Sequence, residues 1–567
     1  MRDAASAGHG SSRVRGTPTL TDRAASSGLL RWESLPLLDG RTGHPQAVEK
    51  AANHQPSSRP FFDSLLAPAV CLRAHMRTLV WFRGKDLRLT DHAALVSASA
   101  RSRELLCVFV LQGKHFEAGE RARAEHRLQC LLGALQSLAR ELEARGNRLF
   151  VVRGPAAIAL PALVAQFRID GVYAMRSVEP GARRIEAHVA AALRIPFELC
   201  EGETLAPPGS VRTRSGSPFR VFTAFASAFR SQVRVGEALP LPARLPPPPA
   251  APHGAGHATH GPGLSQDIGV DIGRALPRME DLGIRPNPNL APTDERAANA
   301  RMARFFARNA AHYPALRDRM DLGATSRLST DLHFGTLSVR TLWNAAHAAL
   351  PPGGAALQRF SSQLLWREFA HHTLFDRPEL LREPFRSDFA GFPFRDDRDG
   401  WDAWTAGMTG YPVVDAAARQ LLREGFVHNR ARMIAASFLS KHLLLHYAQG
   451  EAHYLRHLSD GDLAQNNLGW QWSAGTGCDA QPYFRVFNPV KQGERFDPAG
   501  DYVRRYVPEL AALDARHIHA PWLAPSEVLQ QAGVRLGHSY PRPIVEHSAA
   551  RQRFLLLAGT RHERAVP

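Results

Sequence analysis

Leu239 to Gly263 reads LPLPARLPPPPAAPHGAGHATHGPG, and a chain cannot bury a core through such a stretch. Each proline removes a backbone donor and fixes φ, while the glycines add entropy that packing would have to overcome. The segment therefore divides the chain into two parts that must each find their own core. It is expected to run as a semi-rigid, solvated connector inside a linker spanning 236–293.

The two parts are patterned differently. Thr78–Phe82, Glu104–Leu111, Arg148–Val152 and Gly171–Met175 are short, apolar and β-prone. Between them, leucines at 128, 131, 132, 135, 138 and 142 form a helical stripe that Gly146 closes. Strands separated by helices imply an α/β domain over 76–235 with a parallel sheet. It is Rossmann-like without the fingerprint, since no GxGxxG follows a strand and no GxxxxGK[ST] occurs. The Gly84-Lys85-Asp86 turn is too short a match to count. Beyond the linker, strand signals nearly vanish, so residues 294–516 read as an all-helical domain and 517–567 as a C-terminal extension. Residues 1–75 are rich in Ser, Ala, Gly and Arg and show no sustained period. They read as a disordered tail or, more in keeping with Met76 opening a strand, as sequence upstream of a true start there. They lack the compact apolar core of a secretory signal.

Composition narrows the function. With 44% hydrophobic and 22% charged residues, the 567-residue chain is neither collagenous, coiled-coil nor wholly disordered. Its best apolar run, Met433–Leu445, is interrupted by Ser440, Lys441 and His442, so no membrane span is expected. Seventy Lys+Arg against 53 Asp+Glu give +17, which favours an anionic partner such as nucleic acid. Free use of arginine by a GC-rich genome is the competing account. Five widely spaced cysteines (71, 107, 130, 200 and 478) with no CxxC support neither a disulfide framework nor a thiolate metal site, which points to a reducing cytoplasm.

Four stretches of the helical part carry chemistry. In Phe360–His372, Gln363, Trp366 and Arg367 stand at i, i+3 and i+4 and share a helix face, although a core Trp beside surface polar groups would look the same. In His428–Met433, Asn429, Arg432 and Met433 repeat that spacing on a face that continues as apolar. An amide and a guanidinium there need a polar ligand or a counter-charge. Asp460–Asp479 (DGDLAQNNLGWQWSAGTGCD) packs carboxylates, amides, two Trp and four Gly into a site loop. Asp-x-Asp suits a divalent cation, but no further acidic cluster is nearby, so no metal is expected and a buried Arg such as Arg432 is the more economical partner. Thr325-Ser326-Arg327-Leu328-Ser329 precedes a helix, where hydroxyls and N–H groups suit a phosphate or simply cap.

In order, LVWFRGKDLRLTDHAAL, TSRLS, LLWREF, TGYPVVDAAARQL, HNRARMIAASFL, DGDLAQNN, GWQW and PYFRVFNP resemble the photolyase/cryptochrome family from about Met76 to Arg551, most closely its class I cyclobutane pyrimidine dimer photolyases. The resemblance implies an FAD-binding helical domain and a lyase that repairs cyclobutane pyrimidine dimers. In that chemistry, excited FADH⁻ lends one electron to a lesion flipped out of DNA. By position, Tyr313 and Thr325, Ser326, Arg327, Leu328 and Ser329 match residues at the FAD phosphates. Asn429, Arg432, Asp460, Asp462 and Asn466 match residues around its rings, with Arg367 also at the cofactor. Arg432 and Asp460 match the family's ion pair, and Asn466 the amide facing flavin N5. Gln363, Trp366, Met433, Asn466 and Trp472 match the family's catalytic residues, with Trp366 and Trp472 as the aromatic walls of the lesion pocket; Gln363, Trp366, Arg430 and Arg485 match DNA contacts. Met433, where (6-4) photolyases carry His, favours the cyclobutane dimer.

Three departures qualify the resemblance. Gln363 replaces the usual Glu, so it can donate to a pyrimidine carbonyl but supplies no proton or negative charge. This implies weaker or shifted repair and keeps a cryptochrome-like blue-light photoreceptor as the alternative. In the electron-hopping chain Trp470 keeps the flavin-proximal place, but Tyr447 and Phe394 fill the middle and outer ones. Phe is very hard to oxidise, so photoreduction needs another aromatic such as Trp404 or Trp401, or is lost. In SVEPGARR (Ser177–Arg184), Glu179 and Pro180 stand where folate-binding members carry Asn and Glu, so a second, antenna chromophore is open and folate is disfavoured. The expected protein is a cytoplasmic monomer acting on damaged double- or single-stranded DNA.

Overall fold

Six strands form one sheet in the order β5-β4-β1-β2-β3-β6. They are β1 (Met76–Phe82), β2 (Ser102–Leu111), β3 (Leu149–Arg153), β4 (Gly171–Met175), β5 (Phe197–Cys200) and β6 (Asp271–Ile272). The first five are parallel, as alternation with helices requires, and β6 pairs antiparallel with β3. The computed structural model describes residues 76–112, 124–250, 271–272, 276–479 and 485–565. Residues 1–75, 251–270 and the start of PYFRVFNP lie outside the described residues.

Both faces of the sheet are buried, which is why its strands are apolar throughout rather than alternating. Val80 and Phe82 of β1, with Leu105, Cys107 and Phe109 of β2, pack under helix α1 (Ala93–Ser99) and α2 (Glu125–Glu143). Leu79 and Trp81, with Leu106, Val108 and Val110, pack on the other face under α3 (Ala156–Phe167) and α4 (Pro180–Ala192). The chain runs outward from β1 to β3, then returns to place β4 on the other side of β1. The crevice beyond the carboxyl ends of β1 and β4 is thus the switch point where ligands of such sheets bind. Arg83, Lys85, Ser177, Glu179 and Glu203 line a cavity of about 70 Å³ there.

The linker is not the solvated connector that its composition suggests. Leu241 and Leu245 pack against the sheet's core, and Pro247 accepts from Leu105 N–H. Met279 and Ile284 cover Leu128 and Leu132 of α2. Leucines spaced among the prolines supply apolar side chains, and a strand-like backbone without donors still offers carbonyls.

Beyond the linker, every named element of the described residues is helical. A fifth helix, α5 (Phe222–Gln232), precedes the linker. After it come α6 (Glu295–Arg308), α7 (Val339–Ala349), α8 (Ala355–Asp376), α9 (Arg398–Ala406), α10 (Pro412–Glu424), α11 (Asn429–Ser437), α12 (Tyr447–His457), α13 (Leu463–Ala474) and, last, α14 (His547–Ala565), with shorter helices between. A π-helical turn, Phe438–His442, continues α11 and is buried throughout. The main core gathers Trp404, Val414, Leu421, Ile434, Phe438, Tyr454 and Trp470. The sequence sets 517–567 apart, yet Ile518, Val534 and Tyr540 complete this core and Phe554 of α14 packs on Phe392. Short helices with single buried residues carry no clear period, which hides their membership from the sequence.

Polar pairs join the two halves. Glu295 of α6 accepts from the N–H groups of Leu89 (2.8 Å) and Thr90 (3.1 Å). Arg88 donates to Gly335 O at 3.0 Å. Glu368 of α8 accepts from Leu205 N–H at 2.8 Å, and Arg367 donates to Glu203 O at 2.8 Å.

Candidate functional site

Helix α13 packs on both α8 and α11 in the helical part. Each buries an apolar stripe and leaves chemically rich side chains partly accessible. On α8, Leu364, Leu365 and Phe369 are buried, whereas Gln363 and Trp366 are half-buried. Trp366 stacks on Phe222 of α5, with ring centroids 3.9 Å apart and planes within 8°. On α11, Met433 is half-buried and Asn429 exposed, its amide 3.6 Å from the Met433 sulfur. On α13, Asn466 and Trp472 are half-buried, and the Asn466 amide donates to Glu451 O at 3.0 Å. Gly450 lets Trp470 close on α12, because a Cβ there would lie 2.3 Å from its ring.

The loop before α13 carries the charges. Arg432 donates from one nitrogen to both oxygens of Asp460, at 3.1 and 2.8 Å, and from Nε to Val427 O at 2.7 Å. An arginine on a helix face that continues as apolar needs such a carboxylate partner. Asp462 caps α13 by accepting from Gln465 N–H at 3.0 Å. Its other contacts are His371 Nε2 at 3.2 Å and Lys85 Nζ at 2.9 Å. Its carboxylate is thus engaged by groups of the protein on both oxygens. Lys85 also meets Glu179 (2.8 Å) and Glu203 (3.2 Å). Burial pulls this ammonium's pKa down, but Asp462, Glu179 and Glu203 push it well above the usual value. Burial likewise pushes the Asp462 carboxyl up, and Lys85 with His371 holds it well below the carboxylate range. Glu203, His371 and Asp462 present metal-ligand atoms within 4.8 Å of one another, but a lysine ammonium sits among them.

The candidate phosphate residues converge on the same loop. Arg327 takes a left-handed backbone (φ +52°), pairs with Glu424 at 2.7 Å and lies 4.2 Å from the Phe426 ring centroid. Arg432 lies over that same ring at 5.6 Å, so one phenyl group links the two arginines. Thr330 and Ser459 hydroxyls are 3.0 Å apart, tying the segment to Asp460. Tyr313 is buried edge-on against Phe305 and Phe360. Leu328 is buried, whereas Thr325, Ser326 and Ser329 are half-buried, with hydroxyls that bond to no group among the described residues. Unengaged hydroxyls, the Asn429 amide and a guanidinium–carboxylate pair form a donor set that fits a flavin dinucleotide, whose phosphates and ring edges need such groups.

Other expected residues lie apart. Arg430 pairs with Asp318 at 3.0 Å and covers Phe496, while Arg485 is exposed and its carbonyl accepts from buried Lys441 at 3.0 Å. Tyr447 meets Phe394 edge-on at 6.4 Å. Arg367 is buried at the seam between the halves rather than on the accessible side. Lys85, Glu203, Glu368 and His371 were not legible as site neighbours. The signal available was a charged turn at the end of a strand and the i,i+4 pairs 367/371 and 368/372 in LLWREFAHH.

Comparison with known proteins places this arrangement. Residues 78–249 match the DNA photolyase domain, and residues 360–558 match the FAD binding domain of DNA photolyase. A protein of Agrobacterium fabrum (strain C58) named deoxyribodipyrimidine photo-lyase is 36% identical over 481 residues, covering 84% of this chain and 96% of the relative. The structure of a bacterial class III photolyase from Agrobacterium tumefaciens superposes with a TM-score of 0.76 at 33% identity, over 88% of this chain and 100% of that one. A Synechocystis cryptochrome gives 0.74 at 27%, over 85% of this chain and 99% of that one. Two domain matches in order, relatives aligned over nearly their whole length and a shared fold lead to one conclusion: the chain belongs to the photolyase/cryptochrome family and carries its FAD-binding domain.

Proposed function

We propose that this protein repairs cyclobutane pyrimidine dimers in DNA, using light absorbed by reduced FAD held between Thr325–Ser329, Arg432, Asp460 and Asn466. The observation that carries the reading is the set of half-buried side chains on one helical triad: Gln363, Trp366, Met433, Asn466 and Trp472. Polar and aromatic groups left accessible at the centre of a helical domain are groups kept for a ligand. The bound flavin supplies the photoexcited electron.

The chain supplies everything else. Flipping a lesion out of the duplex costs a few kcal/mol, and least for a damaged pair. Trp366 and Trp472 offer aromatic walls that recover part of that cost through stacking, about 1–3 kcal/mol per base. Phe222, stacked behind Trp366, fixes that ring's plane. Gln363 donates its amide to a pyrimidine carbonyl, and Met433 fills the apolar side without offering a proton. The Asn466 amide, fixed by Glu451 O, presents its oxygen to the flavin edge. Arg485 and Arg430 contact phosphates.

The test is loss of dimers from a defined thymine-dimer oligonucleotide under blue light, with the protein chemically reduced beforehand. Unchanged dimer content would overturn the enzyme reading. Light-dependent flavin chemistry without repair would instead favour a blue-light receptor, the reading that Gln363 in place of Glu motivates.

A further inference from the structure

We propose that Phe222, held by Cys478 and Asp479, is a positioning residue for lesion recognition that fixes the two aromatic walls of the pocket relative to each other. The inference rests on the lesion pocket of the proposed function, between Trp366 and Trp472, and on nothing about the cofactor. Phe222 opens α5, which precedes the linker and so comes from the α/β half of the chain. Its ring lies parallel to that of Trp366 on α8 at 3.9 Å, which leaves the opposite indole face for a base. Phe369, one turn further along α8, meets both rings near edge-on, Phe222 at 6.1 Å and 65° and Trp366 at 5.9 Å and 72°. A ring packed on one face and along one edge has given up its rotamer freedom before any base arrives.

The other wall is tied to the same ring. Trp472 stands near the end of α13, and the chain leaving that helix is bound back onto it. The N–H groups of Thr476 and Gly477 both donate to Gln471 O, at 3.0 and 3.1 Å. A Cβ at Gly477 would lie 2.8 Å from Gln471 Cβ, so glycine is what admits this tight return. The turn delivers Cys478 and Asp479 to the start of α5. Cys478, 1% exposed, donates its thiol to Arg220 O at 2.8 Å. Asp479 accepts from Phe222 N–H at 3.2 Å and has a left-handed backbone, φ +49°, which aspartate tolerates better than most residues. Further along α5, Arg230 donates to Ser362 Oγ at 3.3 Å, next to Gln363.

Both walls are thus referred to one segment, Arg220–Phe222, that the α/β half contributes. The consequence is selectivity. Two bases joined by a cyclobutane ring are one rigid body, and a slot already set to its width binds it without first ordering its walls. Phosphate contacts are made outside the slot and do not depend on that width. Phe222 therefore acts on affinity for the lesion rather than on affinity for DNA in general, and behind Trp366 it touches no reacting atom.

The experiment measures, in the dark, the anisotropy of a fluorescein-labelled oligonucleotide carrying one thymine dimer and of its undamaged twin. Phe222→Leu is expected to weaken binding of the dimer strand about three- to tenfold, the factor for ordering one aromatic side chain, and that of its twin by less than about twofold. Asp479→Ala keeps both rings and is expected to lower the preference for the dimer in the same direction, which carries the test if Phe222→Leu does not fold. Phe222→Tyr, which keeps the stack, is expected to restore the preference. In repair assays the loss in Phe222→Leu appears in KM rather than in kcat. Equal weakening on both oligonucleotides, an unchanged preference in Phe222→Leu and Asp479→Ala, or tyrosine serving no better than leucine overturns the positioning role. A wild type that binds both oligonucleotides alike overturns the lesion-pocket reading and the inference with it. A wild type that prefers the dimer, with that preference kept in Phe222→Leu, overturns the inference alone.

Discussion

Replacing Lys85 with methionine probes what holds the site loop to the α/β domain. Methionine keeps the length of the lysine stem and deletes its charge. The change strips a counter-ion from Asp462 and Glu203, whose side chains are only 3% and 6% exposed, so water cannot take its place. Removing one member of a buried ion network costs about 3–5 kcal/mol, and the 18% exposure of Lys85 sets the expectation at the lower end, about 3 kcal/mol. The dependence on pH is more diagnostic than the size. In the wild type, burial pushes both carboxyls up, but Lys85 and His371 outweigh it and hold both below the usual range. A depressed carboxyl contributes stability above its unfolded value of about 4, and that stability is lost only as pH falls through the still lower folded value. The wild-type contribution is therefore flat from about pH 8 to 5. In Lys85→Met, burial acts with less opposition and the carboxyl pKa rises. The folded state then binds a proton that the unfolded state lacks, and stability grows as pH falls. Urea unfolding should show a deficit of about 3 kcal/mol at pH 8 that shrinks by more than about 1 kcal/mol at pH 5. Adding Glu203→Gln should recover part of the deficit. A deficit below about 1 kcal/mol, or one that is the same at both pH values, would refute the reasoning.

Three further outcomes are expected. Burial pushes the Glu368 carboxyl up to about 7 despite Arg367 and two backbone donors, so the wild type loses stability as pH rises from about 4 to 7. Glu368→Gln should escape that loss and gain about 1–3 kcal/mol relative to the wild type between pH 5 and 8, read by urea unfolding at both values. Gly450→Ala puts a Cβ 2.3 Å from the Trp470 ring and 2.5 Å from Leu439. It should cost about 1–3 kcal/mol and shift tryptophan emission, and an unchanged spectrum and stability would contradict the packing. Arg485 is exposed, whereas Arg430 is held by Asp318 over Phe496. Filter binding across salt should find that Arg485→Ala lowers the slope for dimer-containing DNA by about one, and that Arg430→Ala lowers it by less.

What the sequence made legible followed from local period and chemistry. Buried β1 and β2 announced themselves as continuous apolar runs, because both faces of a parallel sheet are covered. The Arg432–Asp460 pair was foreseeable because neither charge could be buried alone. Lys85 was not, since a lysine in a turn reads as solvated until the fold brings Glu179, Glu203 and Asp462 to it from three distant segments. The same limit hid the packing of Trp404 against Trp470. Trp401 and Trp404 were visible as candidates, but their approach to Trp470 depends on Gly450 and on how α9 meets α13. The packed linker escaped because its leucines are too few to show a period among the prolines.

The polar seam has a consequence for how the molecule can be taken apart. Glu295, Glu368 and Arg88 each bond main-chain groups of the opposite half, at Leu89, Thr90, Leu205 and Gly335. Such partners belong to a loop's path rather than to its residue types. Chimeras that graft the α/β half of one relative onto the helical half of another must therefore preserve the loop backbones at 87–91 and 203–206. Matching side chains alone would not make the halves interchangeable.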